Sequence, residues 1–182
     1  ASPLGAVARA YLDKRGIDDV LAERFGIGYA PEGWTALCEA AAKKKIGSKE
    51  LMDAGLALPS KGRSGTVDRF RNRLMIPLCD HHGNTVGFTG RVLDPKDSPK
   101  YMNSPQTPIY DKSALLFGLH LAKAAIKREG CVVVGEGNLD VVASHKAGVE
   151  HVVASSGTAL TERHIQLLKR YTTTLVFSFD AD

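Results

Sequence analysis

The sequence predicts an α/β protein in two parts: an α+β amino-terminal region, then an α/β region built on a parallel sheet. Three patterns carry that reading. Residues 4–55 show helical periodicity punctuated by glycine, and residues 73–93 read as strand, turn, strand. From Ser113 onward, apolar strands alternate with helices of about ten residues, the pattern of right-handed βαβ units. The change lies near 112–128 and divides the chain into 1–120 and 121–182.

Val7, Tyr11 and Leu12 share a helical face, and Gly16 suits the residue that closes such a helix. Asp18 or Asp19 can cap a second helix running to Phe25. Trp34–Lys45 and Ser48–Ala54 read as two more, the latter with Ser48 as its cap. Lys43-Lys44-Lys45 reads as an exposed helix end, where cations suit the dipole. These helices carry core periodicity and no chemistry. Arg73–Cys79 and Thr85–Leu93 flank Asp80-His81-His82-Gly83-Asn84, a hairpin whose Pro77 calls for an edge strand or a bulge. His81 and His82 read as exposed turn residues. The stretch 94–108 holds four prolines and reads as a long polar loop, a length that in a compact domain points to function. A helix over 113–128 and a strand at Cys131–Val134, buried on both faces, come next. A helix over 139–147, a strand at 151–154, a helix over 161–171 and a strand at 174–179 complete the pattern.

Of the 182 residues, 43% are hydrophobic and 24% charged, which excludes a disordered, collagen-like or disulfide-scaffold chain. No apolar run approaches the ~18–20 residues of a membrane helix, and the first residues lack a signal peptide's basic-then-apolar order. The chain has no initiator methionine, which predicts an excised fragment. Cys38, Cys79 and Cys131 lack zinc-ribbon spacing and are odd in number, so the compartment reads as reducing and cytoplasmic. Cys131 reads as a small core thiol. Residues 1–130 hold 20 basic and 14 acidic side chains, and residues 131–182 hold 4 and 6, within a net charge of +4. A basic part followed by an acidic one suits a polyanion partner beside a metal or acid–base centre, although solvated lysine faces give the same asymmetry.

In an open parallel sheet, ligands bind beyond the carboxyl ends of the strands. Glu136 falls just past the 132–134 strand, between Gly135 and Gly137, and Asp140 follows about one helical turn later. Asp180 and Asp182 fall past the strand ending at Phe179, and their spacing in extended chain points both carboxylates one way. Any one of the four can be an N-cap or turn acid. Gathered, they repel: two carboxylates about 4 Å apart cost roughly 4 kcal/mol at an effective dielectric near 20. A hard divalent cation, Mg²⁺ or Mn²⁺, is therefore expected among them. No helix follows to cover the last strand, which predicts truncation inside the second domain.

Glu136-Gly137-Asn138-Leu139-Asp140 followed by Asp180-Ala181-Asp182 resembles the Toprim signature of bacterial-type primases, topoisomerases and some nucleases. The stretches 68–77, 87–93, 100–105, 110–112 and 156–161 resemble, in order, the RNA polymerase core of the bacterial DnaG-type primase family. The resemblance covers essentially the whole chain. It implies a basic amino-terminal subdomain over 1–120 and a partial Toprim domain over 121–182, cut at the Asp-x-Asp motif. The family often has Tyr-Met where Asn138-Leu139 stand, Gly where Ala181 stands, and Gly-Arg where Ser113-Ala114 follow Lys112. None of these departures changes an acid.

By motif match, the resemblance implies that Arg69 and Arg71 contact the template or incoming phosphates, in a groove facing the acids. Arg91, Lys100 and Lys112 would hold the triphosphate, with Tyr101 and Asn103 on the same loop. Read without the family, Arg69 and Arg71 also fit a solvated lead-in to a strand. Asp180 and Asp182 would bind metal, Glu136 would be a ligand or proton acceptor, and Asp140 would complete the shell. The implied activity is synthesis of short RNA primers on single-stranded DNA, in which a 3′-hydroxyl attacks an α-phosphorus and pyrophosphate leaves. The implied partners are single-stranded template and ribonucleoside triphosphates, with a replicative helicase and single-strand-binding protein engaged through parts outside this chain. No membrane partner is implied, zinc belongs only to a domain this cysteine spacing lacks, and the location is the bacterial cytoplasm at the replisome. Two rivals stand: another Toprim enzyme, nuclease or topoisomerase, the latter needing a nucleophilic tyrosine on a further domain; and a non-catalytic fragment that binds DNA, nucleotide or metal. The fragment alone is expected to be inactive or nearly so.

Overall fold

A computed structural model describes residues 5–62, 65–94 and 96–179. They form two compact units: the first takes residues up to 18, 22–77 and 87–110, and the second takes 19–21, 78–86 and 111 onward. The α/β class and the parallel sheet agree with the sequence reading.

Helix α1 (Ala6–Lys14) buries Ala8 and Leu12, and Gly16 then turns left-handed at φ +64°. Helix α2 (Asp19–Arg24) is followed by β1 (Gly28–Ala30), α3 (Ala36–Lys43), α4 (Ser48–Asp53), β2 (Ala57–Pro59) and β3 (Thr66–Asp68). The hairpin strands are β4 (Arg73–Cys79) and β5 (Thr85–Val92), and β6 is Tyr101–Asn103. The main sheet has the order β1-β4-β5-β6, while β2 and β3 pair separately. Alternate β4 residues, Leu74 and Ile76, are fully buried, as the period of two requires.

Three local expectations change. Gly47, not Ser48, sits at the cap position of α4, and Ser48 is the first helical residue. Strand β4 is interior, yet β1 pairs only with Arg73, Leu74 and Met75; Pro77 lies beyond its reach and removes no bond on that side. The 94–108 stretch is not all loop, because Tyr101–Asn103 pairs antiparallel with Thr89, Gly90 and Arg91. A strand of three residues between prolines is too short to show a period.

Helix α3 needs a cap from elsewhere. Thr35 occupies the cap position without a side-chain capping bond, and its hydroxyl donates instead to Glu39 Oε1 at 2.7 Å. The buried carboxylate of Asp68, at the end of β3, takes over. It accepts from the Leu37 and Cys38 amides at 2.7 and 2.9 Å, meeting two of the orphan donors at the helix start.

In the second unit, Asp80 organises the hairpin turn by accepting from the His82 and Asn84 amides at 2.8 and 2.9 Å. A single 3₁₀ turn at Lys112–Ala114 precedes α5 (Leu119–Glu129), β7 (Cys131–Gly135), α6 (Asn138–Lys146), β8 (Val152–Ala154), α7 (Glu162–Leu168) and β9 (Thr174–Phe177). The expected helix from 113 starts only at Leu119. Phe117 bridges to Ala154, and Gly118 turns left-handed at φ +80°. The sheet is parallel with order β8-β7-β9. Leu116, Leu119 and Ile126 pack with Val132, Val134, Val153 and Leu168 as its core. The strand is not buried on both faces throughout: Cys131 and Val133 are half-buried, because α6 packs chiefly on β8.

Candidate functional site

The chain leaves β7 for β8 on one side and returns to β9 on the other, so the carboxyl end of β7 is a topological switch point. Glu136 stands there, exposed, in the turn between β7 and α6. Asp140, also exposed, lies in the first turn of α6, where its charge suits the helix dipole. Its carboxylate lies over Gly137, where an added Cβ would collide with Asp140 Oδ2. The loop after β8 closes onto this turn. The Gly157 amide donates to the Glu136 carbonyl at 3.3 Å, and the Ser156 hydroxyl donates to Asn138 Oδ1 at 2.7 Å. Ser156 takes a left-handed φ of +58° to reach it. Glu136 and Asp140 are thus held within one short, braced segment. Asp180 and Asp182 lie outside the described residues; the described chain reaches this end of the sheet with the Ser178 amide bonded to the Val134 carbonyl at 3.0 Å.

The basic candidates divide by unit. In the first, Arg71 lays its guanidinium over the Trp34 ring, 4.0 Å from the centroid, and donates to the Asp68 carbonyl. Arg69 is half-buried, with Nε lacking an acceptor among the described residues. Both line a cavity of about 340 Å³ together with Trp34, Arg73 and Met102. Arg91 and Tyr101 are opposite each other in the β5–β6 register, and Arg91 Nη1 donates to the Tyr101 hydroxyl at 3.2 Å. The Lys100 ammonium lies 5.9 Å from the Tyr101 ring centroid. Asn103 is tied into the sheet, its Oδ1 accepting from the Thr89 hydroxyl at 2.7 Å. Lys112 opens the 3₁₀ turn of the second unit.

Residues 2–123 match the family model for the DNA primase catalytic core, N-terminal domain. The chain belongs to that primase family. Residues 133–182 match a Toprim-like model, so the resemblance read in the sequence holds on both parts. A DNA primase of Neisseria meningitidis serogroup A is 43% identical over 175 residues, 96% of this chain and 29% of that relative. The RNA polymerase domain of the Mycobacterium tuberculosis primase DnaG superposes with a TM-score of 0.92 at 39% identity, covering 100% of this chain and 61% of that one. A DnaG primase catalytic domain bound to ssDNA gives 0.90 at 40% identity, covering 100% of this chain and 56% of that one. The primase-core chain therefore spans less than a third of the curated relative's length.

Divalent-metal use goes with Toprim and primase families in general. The donor chemistry of this primase-core chain fits it, since two exposed carboxylates share a braced segment and all-oxygen ligands suit hard cations. Among the described residues no group of three or more His, Cys, Asp or Glu converges as a metal site.

Two partners of the primase candidates escaped the sequence reading. Trp34 read only as a helix residue, although it stacks on Arg71. Tyr11 read only as a helix face, although its ring lies 4.6 Å from the Arg91 guanidinium. Burial raises the Tyr11 phenol's pKa, and Arg91 and Arg15 pull it back only in part. Nothing local in the sequence marks contacts so far apart.

Proposed function

We propose that this chain is part of the nucleotidyl-transfer core of a primase that makes short RNA primers on single-stranded DNA. The observation that carries the reading is the exposed Glu136–Asp140 pair at the β7 switch point, within a chain of the primase core family. Glu136 and Asp140, with Asp180 and Asp182, would hold Mg²⁺ or Mn²⁺; bound there, the cation neutralises charge on the attacking and leaving oxygens. Glu136 also supplies a carboxylate able to accept the proton of the attacking 3′-hydroxyl. Arg91 and Lys100 would grip the triphosphate of the incoming ribonucleotide, Arg91 adding planar, two-pronged geometry, and Lys112 is a separate candidate phosphate ligand on the second unit. Tyr101 fixes Arg91 from the neighbouring strand, and Asn103 fixes the strand itself. Arg69 and Arg71 would contact template, and binding carried by a shallow basic surface is expected to be weak and salt-sensitive. A cytoplasmic, replisome-associated setting fits this activity, and a helicase and single-strand-binding protein would engage other parts of the whole protein.

Glu136→Gln in the longer polymerase removes a charge at constant shape. Primer synthesis should be lost while oligonucleotide affinity stays within about twofold. Normal synthesis by that variant would overturn the assignment. The 182-residue chain, spanning 29% of a relative's length, should itself make little or no primer.

A further inference from the structure

Glu136 is not alone at the carboxyl end of the parallel sheet. Strand β8 runs parallel to β7, so residues 155–161, which lead from β8 into α7, lie at that same end. There the Thr161 hydroxyl donates to the Ser113 carbonyl at 2.6 Å, which ties the 3₁₀ turn carrying Lys112 to the start of α7. Lys112 and the first turn of α7 thus share the sheet edge at which Glu136 and Asp140 stand.

Arg163, in that turn of α7, reaches back to the same 3₁₀ turn. Its Nη1 donates to Asp111 Oδ2 and to the Ser113 hydroxyl at 3.2 Å. Asp111 is itself held, because its Oδ1 accepts from the Ser113 amide at 2.9 Å and from the Ser113 hydroxyl at 2.7 Å. The two residues that flank Lys112 therefore anchor the guanidinium. A pair this exposed, with the Arg163 side chain at 61%, adds little to stability; what it fixes is where the guanidinium lies. Arginine carries five N–H donors, and the bonds that Arg163 makes among the described residues run through Nη1. Nε and Nη2 present hydrogens side by side along the other edge of the planar group, a fork that matches two oxygens of one phosphate. Asp111 cancels one positive charge, so Lys112 supplies the net attraction and Arg163 the geometry.

We propose that Arg163 is a phosphate ligand beside Lys112, gripping the triphosphate of the incoming nucleotide through Nε and Nη2 while Asp111 and Ser113 hold Nη1. The proposal rests on the reading of Lys112 as a phosphate ligand and adds the residue that gives that site its two-pronged grip. A nucleic-acid backbone offers the same phosphate oxygens, so the test separates the two sources.

Anisotropy of a fluorescent ATP analogue and of a labelled dT 16-mer is measured with the chain at fixed Mg²⁺ and low salt. Arg163→Ala should weaken binding of the ATP analogue about tenfold, the loss of roughly one charge-assisted hydrogen bond. Arg163→Lys, which keeps the charge but not the fork, should weaken it about threefold. Both variants should bind dT within about twofold of wild type, and thermal melts confirm that both are folded. Lys112→Ala should weaken the ATP analogue as well. If Lys112→Ala does so and Arg163→Ala does not, Arg163 is a surface pair alone; the proposal is overturned and the reading of Lys112 stands. A loss by Arg163→Ala that is confined to dT, or of equal size for dT and the ATP analogue, also overturns the nucleotide assignment. If neither Lys112→Ala nor Arg163→Ala changes affinity for the ATP analogue, the reading of Lys112 and the proposal are overturned together.

Discussion

Thr161 and His164 close the start of α7 by exchanging hydrogen bonds: the Thr161 hydroxyl accepts from the His164 amide, and His164 Nδ1 accepts from the Thr161 amide, each at 3.2 Å. This is a capping box with histidine in the place usually held by Glu or Gln. The imidazole is fully buried, and only its neutral form leaves Nδ1 free to accept. Burial lowers its pKa below the ordinary 6.5, against the opposing pull of the Lys112 and Leu115 carbonyls and Asp111. Burial depresses His81 and His120 in the same direction. With folded pKa values below unfolded ones, the unfolded chain takes up protons first. Stability is then full above about pH 6.5 and is lost as pH falls through the folded values. Asp80 and Asp111, lowered from 3.8, add to the loss only in stronger acid. Thermal melts should show Tm falling by a few degrees from pH 7.5 to 5.5. His164→Gln, which keeps the box without a titrating group, should flatten that slope; an unchanged slope would clear His164 of the effect.

Gly90 leaves the space through which Arg73 passes. A Cβ at Gly90 would sit 2.8 Å from Phe70 Cδ1 and 2.9 Å from Arg73 Cδ. Phe70 and Arg73 are both buried, so neither can swing into solvent. Gly90→Ala should cost about 1–3 kcal/mol through overpacking, measured as a lower urea midpoint with unchanged slope. A midpoint equal to wild type would mean that the Arg73 channel is loose.

What could be read from the residues alone follows a physical rule. Long, periodic elements were legible: the β4–β5 hairpin, α1 and the β7–α6–β8 unit fall within a few residues of their predicted places. Strands β1, β2, β3 and β6, each three residues long, are too short to carry a period and are held by their partners; β8, equally short, was legible because it is a wholly apolar run between two helical stretches. The position of Glu136 and Asp140 at the end of β7 was legible because they follow a recognisable strand. The Trp34–Arg71 and Tyr11–Arg91 stacks were not, because ring and cation come from separate elements and only the folded backbone brings them together.

Asp68 shows the same dependence on distant chain. It is 3% exposed and caps α3 from another element. Asp68→Ala strands two amides and should cost about 2 kcal/mol; Asp68→Asn, which keeps one acceptor oxygen, should cost about half. Cys38 offers a second readout. Burial raises its thiol pKa, and the neighbouring Asp68 raises it further, so removing that carboxylate favours the thiolate. Cys38 in Asp68→Ala should react faster with a disulfide reagent at pH 8 than in the wild-type chain. An equal rate, with Cys79 and Cys131 replaced by Ser to isolate the signal, would show that Asp68 does not act on the thiol.

Arg91 is the proposed triphosphate ligand most firmly held in place. Its guanidinium lies 4.6 Å from the Tyr11 ring centroid and 5.4 Å from that of Tyr101, with Nη1 on the Tyr101 hydroxyl. Stacking between two rings depends on a flat, delocalised cation, which lysine lacks. Arg91→Lys keeps the charge but loses both the stack and the two-pronged grip. Affinity for a fluorescent ATP analogue should fall about tenfold in Arg91→Lys, the loss of roughly one charge-assisted hydrogen bond, and further in Arg91→Ala. Tyr11→Phe retains the ring and should bind within about twofold of wild type, whereas Tyr11→Ala should approach the lysine variant. Because the two tyrosines come from different elements, that pattern separates positioning from charge: if Arg91→Lys binds as wild type does, only the positive charge matters and the tyrosine clamp has no part in nucleotide binding.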